Sequence, residues 1–248
     1  MIPKIIHYCW FGGKPLPEDV KRYIRTWKTY CPDYEIKQWN EQNFDVYENS
    51  YCREAYVAKK WAFISDYARL KILYEYGGIY MDTDVEVCKN LDDLLKYNAF
   101  SGFESGNRIQ TGTFGSVKGS SWIGYLLSYY KKRHFLKANG TMDQTTNVVT
   151  ITRMTKERYA IKLDNSRQIF GDNNLLLPFD YLCAKDSMDG KIKKTKNTYT
   201  IHHFAGSWQS MDKRLRHKVK LLLVAMLGRK AVIQFKRMFH IGDPETYA

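Results

Sequence analysis

Two carboxylates one residue apart, Asp82 and Asp84, stand where a short apolar run, Ile79-Tyr80-Met81, gives out. Acidic side chains that close repel each other unless a cation or a basic group lies between them. Hard oxygen donors of this kind suit Mn²⁺ or Mg²⁺, commonly bound by one or two carboxylates together with substrate phosphates. An Asp-x-Asp by itself more often caps a loop or a solvated turn, so its surroundings decide. Upstream, Trp61 to Tyr76 carries Phe63, Ile64, Tyr67, Ala68, Leu70, Ile72 and Leu73 at helical spacing. Ser65, Asp66 and Arg69 share that helix, with Asp66 and Arg69 as neighbours on its surface. In isolation such a pair is an ordinary ion pair. Here the helix runs through Gly77-Gly78 straight into the carboxylate strand, which carries its polar face toward Asp82 and Asp84. In that setting an arginine suits phosphate and an aspartate suits a sugar hydroxyl.

Strand and helix patterns alternate around these residues. Ile2 to Tyr8 reads as a first strand, Glu18 to Tyr30 as a helix and Tyr34 to Trp39 as a second strand. Ser50 to Tyr76 reads as one or two helices, followed by the strand to Asp82 and a short strand through Val85 and Val87. A helix is predicted near Asn90 to Lys96, strands at Ala99 to Phe103 and Ile109 to Gly115, and helices from Ser120 to about Phe135 and over Thr145 to Thr155. Short strands near Ile169 and Leu176 precede a last strand at Tyr199 to His203. Such alternation predicts an α/β fold, a single mainly parallel sheet flanked by helices, with ligand at the carboxyl ends of its strands.

Three stretches together resemble a known family. Phe63-Ile64-Ser65-Asp66-Tyr67-Ala68-Arg69 followed by Tyr74-Glu75-Tyr76-Gly77-Gly78-Ile79-Tyr80-Met81-Asp82-Thr83-Asp84 is similar to the signature of glycosyltransferase family 32. That family has a sugar-binding region with a DXD motif, includes capsular and exopolysaccharide transferases, and is similar to the glucosylating bacterial toxins. Ile2 to Gly13 resembles its first strand and nucleotide loop, and Ile201-His202-His203-Phe204-Ala205-Gly206-Ser207-Trp208 its closing motif. The resemblance implies a GT-A fold over residues 1–210, a nucleotide-sugar donor with UDP-hexose favoured, Mn²⁺ or Mg²⁺, and retention of configuration.

By that resemblance Trp10 stacks on the base while the Cys9 backbone reads its edge. Ser65, Asp66 and Arg69 hold the donor sugar and diphosphate, and Tyr80 reaches a phosphate. Asp82 contacts ribose or the metal through water, and Asp84 binds the metal directly. His202 or His203 adds a ligand; adjacent strand residues face opposite ways, so only one can, and the motif favours His202. Ser207 and Trp208 serve the phosphate and the glycosidic oxygen. No carboxylate on the sugar's opposite face is evident as a nucleophile, which favours same-face substitution assisted by the leaving phosphate. Glu104, Asn107, Thr146 and Asn147 fall in the stretch expected to form acceptor surfaces, without individual roles.

The chain has 248 residues, enough for one substantial core, and is 15% aromatic, which suits carbohydrate handling. Five scattered cysteines without a C-x-x-C argue against a disulfide framework and a zinc site, and point to a reducing cytoplasm. The net charge of +13 is concentrated over residues 185–248, where 14 Lys and Arg face 5 Asp and Glu. Residues 211–248 therefore read as a basic amphipathic helical segment, expected to attach the protein peripherally to the anionic inner face of the cell membrane, the competing reading being a terminal helix packed on the core with a solvated basic face. The acceptor expected from this is a lipid-linked oligosaccharide in capsule or exopolysaccharide synthesis. Two other classes compete. Asp82-Thr83-Asp84-Val85 fits the first motif of haloacid-dehalogenase-type phosphatases, with Asp82 as nucleophile, yet it comes late in the chain. The charge alone also suits nucleic acid, but no binding module accompanies it and the carboxylates go unexplained, so no nucleic-acid partner is expected.

Overall fold

The computed structural model describes residues 1–104 and 107–206, together with 215, 219, 223, 224, 226–228 and 234 of the C-terminal segment. The chain opens with β1 (Ile5–Cys9), α1 (Glu18–Tyr30) and β2 (Glu35–Trp39). Glu18 and Asp19 occupy the first turn of α1 and Lys28 its last, signs that match the helix dipole. Next come α2 (Ser50–Val57), whose N-cap Asn49 accepts the Cys52 N–H, and α3 (Trp61–Tyr76). They lead to β3 (Gly78–Met81), β4 (Val85–Val87), β5 (Ala99–Glu104), β6 (Arg108–Ile109), β7 (Thr113–Ser116) and α4 (Ser121–Ser128). The remainder is α5 (Asn147–Arg158), β8 (Gln168–Phe170), β9 (Asn174–Leu177), α6 (Phe179–Leu182) and β10 (Thr200–His202).

The main sheet has the order β2-β1-β3-β7-β5-β9-β8, with β6 paired to β5, and helices flank it as the strand-helix alternation predicts. Parallel pairs β2-β1-β3 and β5-β9 are joined through the antiparallel strand β7. A second small sheet pairs β4 with β10, antiparallel, with His202 opposite Val85. After β1 the chain crosses to β2 on one side and then returns to β3 on the other. The crevice at the carboxyl ends of β1 and β3 is thus a topological switch point, where α/β sheets bind ligands.

Alternation along β3 divides the core. Tyr80 joins Ile64, Ala68 and Leu73 of α3, whereas Ile79 and Met81 join Trp27 of α1 and Val85 and Val87 of β4. The entry to β3 is tightly specified. Gly77 and Gly78 have φ of +69° and +96°, and a Cβ on Gly78 would lie 2.8 Å from both His7 Nε2 and the Ile5 carbonyl. Buried His7 donates from Nε2 to the Gly77 carbonyl at 2.9 Å and accepts at Nδ1 from Trp39 Nε1 at 3.1 Å. Burial pulls this imidazole down to about 4, so it is neutral, and the two bonds fix its tautomer.

Several elements differ from the sequence reading. The helix expected near Asn90 to Lys96 is one 3₁₀ turn, Asp92–Leu94, with Asp92 tied to Lys4 and the Tyr34 hydroxyl. The helix α4 stops at Ser128, and Arg133 folds back to Asp143 instead of continuing it. The single strand expected over 109–115 is broken at 110–112, because the Gln110 side chain takes the Thr113 N–H at 2.9 Å and closes a turn. The helix α6 had no sequence signal. The expected division at 210/211 lies outside the described residues.

Candidate active site

The helix α3 and strands β1, β3, β4 and β10 bring the predicted acidic residues to one corner. Asp82 follows β3 directly and its N–H donates to the Gly112 carbonyl at 2.8 Å. One of its oxygens, Oδ1, accepts from the Tyr80 hydroxyl at 3.0 Å and lies 3.4 Å from Arg69 Nη2. Asp84 Oδ2 accepts the Ala205 N–H at 2.7 Å. The other oxygen of each carboxylate faces His202: Nε2 is 3.9 Å from Asp82 Oδ2 and 3.2 Å from Asp84 Oδ1. Ligand atoms of Asp82, Asp84 and His202 lie within 4.8 Å of one another.

The electrostatics follow from burial and pairing. Burial opposes charge on both Asp84 and His202, but their mutual attraction outweighs it, lowering the Asp84 carboxyl and raising the His202 imidazole well above its ordinary range. The imidazolium therefore stands where a cation is wanted. Two carboxylate oxygens and one imidazole are a donor set that fits Mn²⁺ and, less closely, Mg²⁺. Taking up such an ion requires His202 to give up its Nε2 proton. His203 is directed elsewhere, bonded to Glu86 at 2.8 Å and stacked on Tyr23 at 4.7 Å.

Arg69 braces the acidic cluster from α3. It is 5% exposed and gives Nη2 to Asp66 Oδ1 at 3.0 Å, Nη1 to the Thr111 carbonyl at 2.7 Å and Nε to the Ser65 carbonyl at 3.1 Å. Burial disfavours its charge, yet Asp82, Tyr80 and Asp66 hold it on. Its guanidinium lies 4.7 Å above the Tyr80 ring. Burial pushes Asp66 up to about 6, against the pull of Arg69. Ser65 lies half-buried in α3, its hydroxyl donating to the Trp61 carbonyl.

Trp10 and Cys9 sit beside this corner at the end of β1. The register His7 to Tyr80 continues to Cys9 alongside Asp82. Burial raises the Cys9 thiol to about 12, which removes it as a nucleophile at neutral pH. Trp10 is half-buried, with its indole N–H donating to the Lys14 carbonyl at 2.6 Å. Tyr80, expected at a phosphate, is 2% exposed with its hydroxyl on Asp82. Ser207 and Trp208 lie outside the described residues.

Some participants were not legible in the sequence. The turn 110–112 supplies carbonyls to Arg69 and to the Asp82 N–H, and a Cβ on Gly112 would lie 2.8 Å from His202 Nδ1. A lone glycine inside a strand-like run was the available signal. Trp61 lies against Gly12, where a Cβ would meet its ring at 2.8 Å. Glu104, at the end of β5, is driven up to about 7 by burial despite His202 and Arg108 nearby. Asn147 gives Nδ2 to the Asp66 carbonyl at 3.1 Å. Asn107 (φ +60°) donates its N–H to the Glu104 carbonyl at 3.2 Å, and Thr146 is the residue before α5.

The chain is similar in sequence to several known proteins. An uncharacterised glycosyltransferase of Acanthamoeba polyphaga mimivirus is 29% identical over 168 residues, covering 63% of this chain and 67% of its own length. Inositol phosphoceramide mannosyltransferase 3 of Schizosaccharomyces pombe is 31% identical over 130 residues, 49% of this chain and 35% of its own length. The chain thus spans two thirds of the viral relative and about a third of the yeast one. Among solved structures, the PaToxG glycosyltransferase is 22% identical with a TM-score of 0.48, over 63% of this chain and 69% of that one. Residues 17–101, which hold Asp66, Arg69, Asp82 and Asp84, match the family described as glycosyltransferase sugar-binding region containing DXD motif.

Proposed function

We propose that this protein is a metal-dependent, retaining glycosyltransferase that moves a hexose from a nucleotide-sugar to a glycan or lipid-linked acceptor. The observation that carries the reading is the convergence of Asp82 Oδ2, Asp84 Oδ1 and His202 Nε2 next to the helix pair Asp66 and Arg69. When bound there, Mn²⁺ or Mg²⁺ supplies charge neutralisation for the departing diphosphate. Asp82 and Asp84 are held ready for it by donors on their far oxygens, so the carboxylates need not reorganise. Arg69 bridges Asp66 and Asp82 through Nη2, offsetting their repulsion, and would add positive charge near the phosphates. Asp66 accepts from the sugar's hydroxyls, and the Trp10 indole face offers a ledge for the base. No carboxylate is assigned as a nucleophile on the sugar's opposite face, which favours same-face substitution.

UDP-hexose is the favoured donor. The mannosyltransferase relatives add GDP-mannose as a second reading, and their names, which specify inositol phosphoceramide, support a lipid acceptor. An anionic membrane is the proposed docking surface. Its support is the described C-terminal residues Leu215, Val219 and Leu223, helical, four residues apart and all exposed, within a Lys- and Arg-rich sequence. No described helix is long and apolar enough to cross a membrane. Capsule or exopolysaccharide assembly at the inner face of the cell membrane is the setting we propose.

A panel of UDP-hexoses and GDP-mannose, assayed for hydrolysis with and without Mn²⁺, tests the reading. Mn²⁺-dependent release of nucleoside diphosphate, lost in Asp84→Ala, is expected. Metal-independent release that survives Asp84→Ala contradicts it, as does strong turnover of a generic phosphate ester with no nucleotide-sugar activity.

A further inference from the structure

A buried chain of hydrogen bonds runs behind the acidic corner, from the main sheet to the small one. It starts at Gln110, directly after β6, whose own N–H donates to the Gly102 carbonyl at 2.9 Å. The Gln110 side chain accepts the Thr113 N–H at Oε1, at 2.9 Å, and gives Nε2 to the Thr113 carbonyl and, at 3.2 Å, to Ser101 Oγ. Ser101 Oγ returns a bond to the Gln110 carbonyl at 2.8 Å. Gln110 thus holds both ladder groups of Thr113, as a neighbouring strand does. With those groups turned toward β5, the Gly112 carbonyl faces β3 and takes the Asp82 N–H at 2.8 Å. Thr113 carries the chain onward, its Oγ1 3.2 Å from Thr200 Oγ1. Thr200 gives its single hydroxyl hydrogen to the Leu182 carbonyl at 2.7 Å, so Thr113 is the donor between the two. Thr200 stands two residues before His202 on β10 and on the same face.

Ser101, Gln110, Thr113 and Thr200 are all fully buried. Apolar groups of the same shape fill such a space with little change in stability, so a satisfied polar network there specifies geometry more than it adds stability. The geometry in question is that of the ion ligands. Asp82 ends a strand of the main sheet, whereas Asp84 and His202 are held by the small sheet, and among the described residues no ladder joins the two sheets. The network bridges that gap. One end fixes the carbonyl that orients Asp82, and the other fixes the strand that carries His202. Between them the Thr111 carbonyl holds Arg69 Nη1 at 2.7 Å, and Gly112 leaves the space that His202 Nδ1 needs. We propose that Gln110 is a positioning residue for the candidate metal centre: through Thr113 and Thr200 it sets the separation of Asp82 from Asp84 and His202. The inference rests on the metal reading of the site for the identity of the ligand only.

Three variants of the full chain test this. Gln110→Met keeps the length of the side chain and removes its amide. Thr200→Val keeps the shape and removes the hydroxyl, and Thr200→Ser restores the hydroxyl. Titration with Mn²⁺ alone, followed by electron paramagnetic resonance, should show affinity about 10–100-fold weaker in Gln110→Met and about tenfold weaker in Thr200→Val, the range for groups behind metal ligands. Thr200→Ser should stay within about threefold of native. Amide hydrogen exchange gives a second readout that needs no ion. In Gln110→Met the Asp82 N–H should lose at least about tenfold more protection than the Tyr80 N–H, two residues earlier on the same strand. Unchanged Mn²⁺ affinity in both Gln110→Met and Thr200→Val, with only a lower Tm, overturns the inference, as does equal loss of protection at Asp82 and Tyr80. A native chain that binds no Mn²⁺, while Asp82 alone loses protection in Gln110→Met, keeps the positioning role and refutes the metal reading instead. Should Gln110→Met fail to fold, the same two readouts in Thr200→Val and Thr200→Ser decide.

Discussion

Acid should weaken this fold in a measurable part through His7. The imidazole is fully buried, lies between Trp39 and the Gly77 carbonyl, and is pulled down to about 4 from an ordinary 6.5. Between those values the unfolded chain binds a proton that the native one does not, so stability falls as pH drops through that window. Linkage gives a loss of about 2 kcal/mol between pH 8 and pH 5, and about 3 kcal/mol once pH is below both values. His7→Gln keeps a donor for the Gly77 carbonyl but orphans the Trp39 N–H, at a cost of about 1–3 kcal/mol that does not depend on pH. Urea unfolding followed by tryptophan fluorescence, at pH 8, 6.5 and 5, separates the two. The stability gap between native protein and His7→Gln should narrow by about 2 kcal/mol from pH 8 to pH 5. A gap that stays constant over that range refutes the reasoning, because His7 would then carry its proton equally in both states.

Other outcomes follow from the same geometry. Gly78→Ala, with φ at +96° and a Cβ 2.8 Å from His7 Nε2 and the Ile5 carbonyl, should cost about 3 kcal/mol and lower Tm by about 6–12 °C, read by calorimetry. His202→Ala should weaken Mn²⁺ binding about 10–100-fold, whereas His203→Ala should leave it within about twofold, compared by calorimetric titration. Trp10→Ala should raise donor KM about tenfold with kcat little changed, since base stacking is worth about 1–3 kcal/mol; an unchanged KM removes Trp10 from the base site.

The parts of the site written in local sequence were legible: a helix with Asp66 and Arg69, a Gly-Gly exit, and a strand that ends in Asp82 and Asp84. Those are short-range patterns of helical period, glycine conformation and apolar run. Strand alternation allowed only one of His202 and His203 to face the carboxylates and the motif favoured His202; the structure turns His202 to Asp84 and His203 to Glu86. What the sequence hid is long-range. The turn at 110–112 interrupts a good strand pattern because a single Gln110 side chain replaces ladder bonds, and its carbonyls serve residues some 30 to 40 positions away. The resemblance placed Tyr80 at a phosphate, but its strand position points it at α3 beneath Arg69. Arg133 gave no signal in a Lys- and Arg-rich stretch, where only burial distinguishes it from its neighbours.

The central claim is that Asp82, Asp84 and His202 hold a divalent cation to which a nucleoside diphosphate binds. Electron paramagnetic resonance titration of Mn²⁺ into the full chain with UDP present, for the native protein and for Asp84→Ala, tests it most directly. The account predicts one bound Mn²⁺ per native chain and none in the folded variant at the same concentrations. Equal binding by both proteins contradicts it.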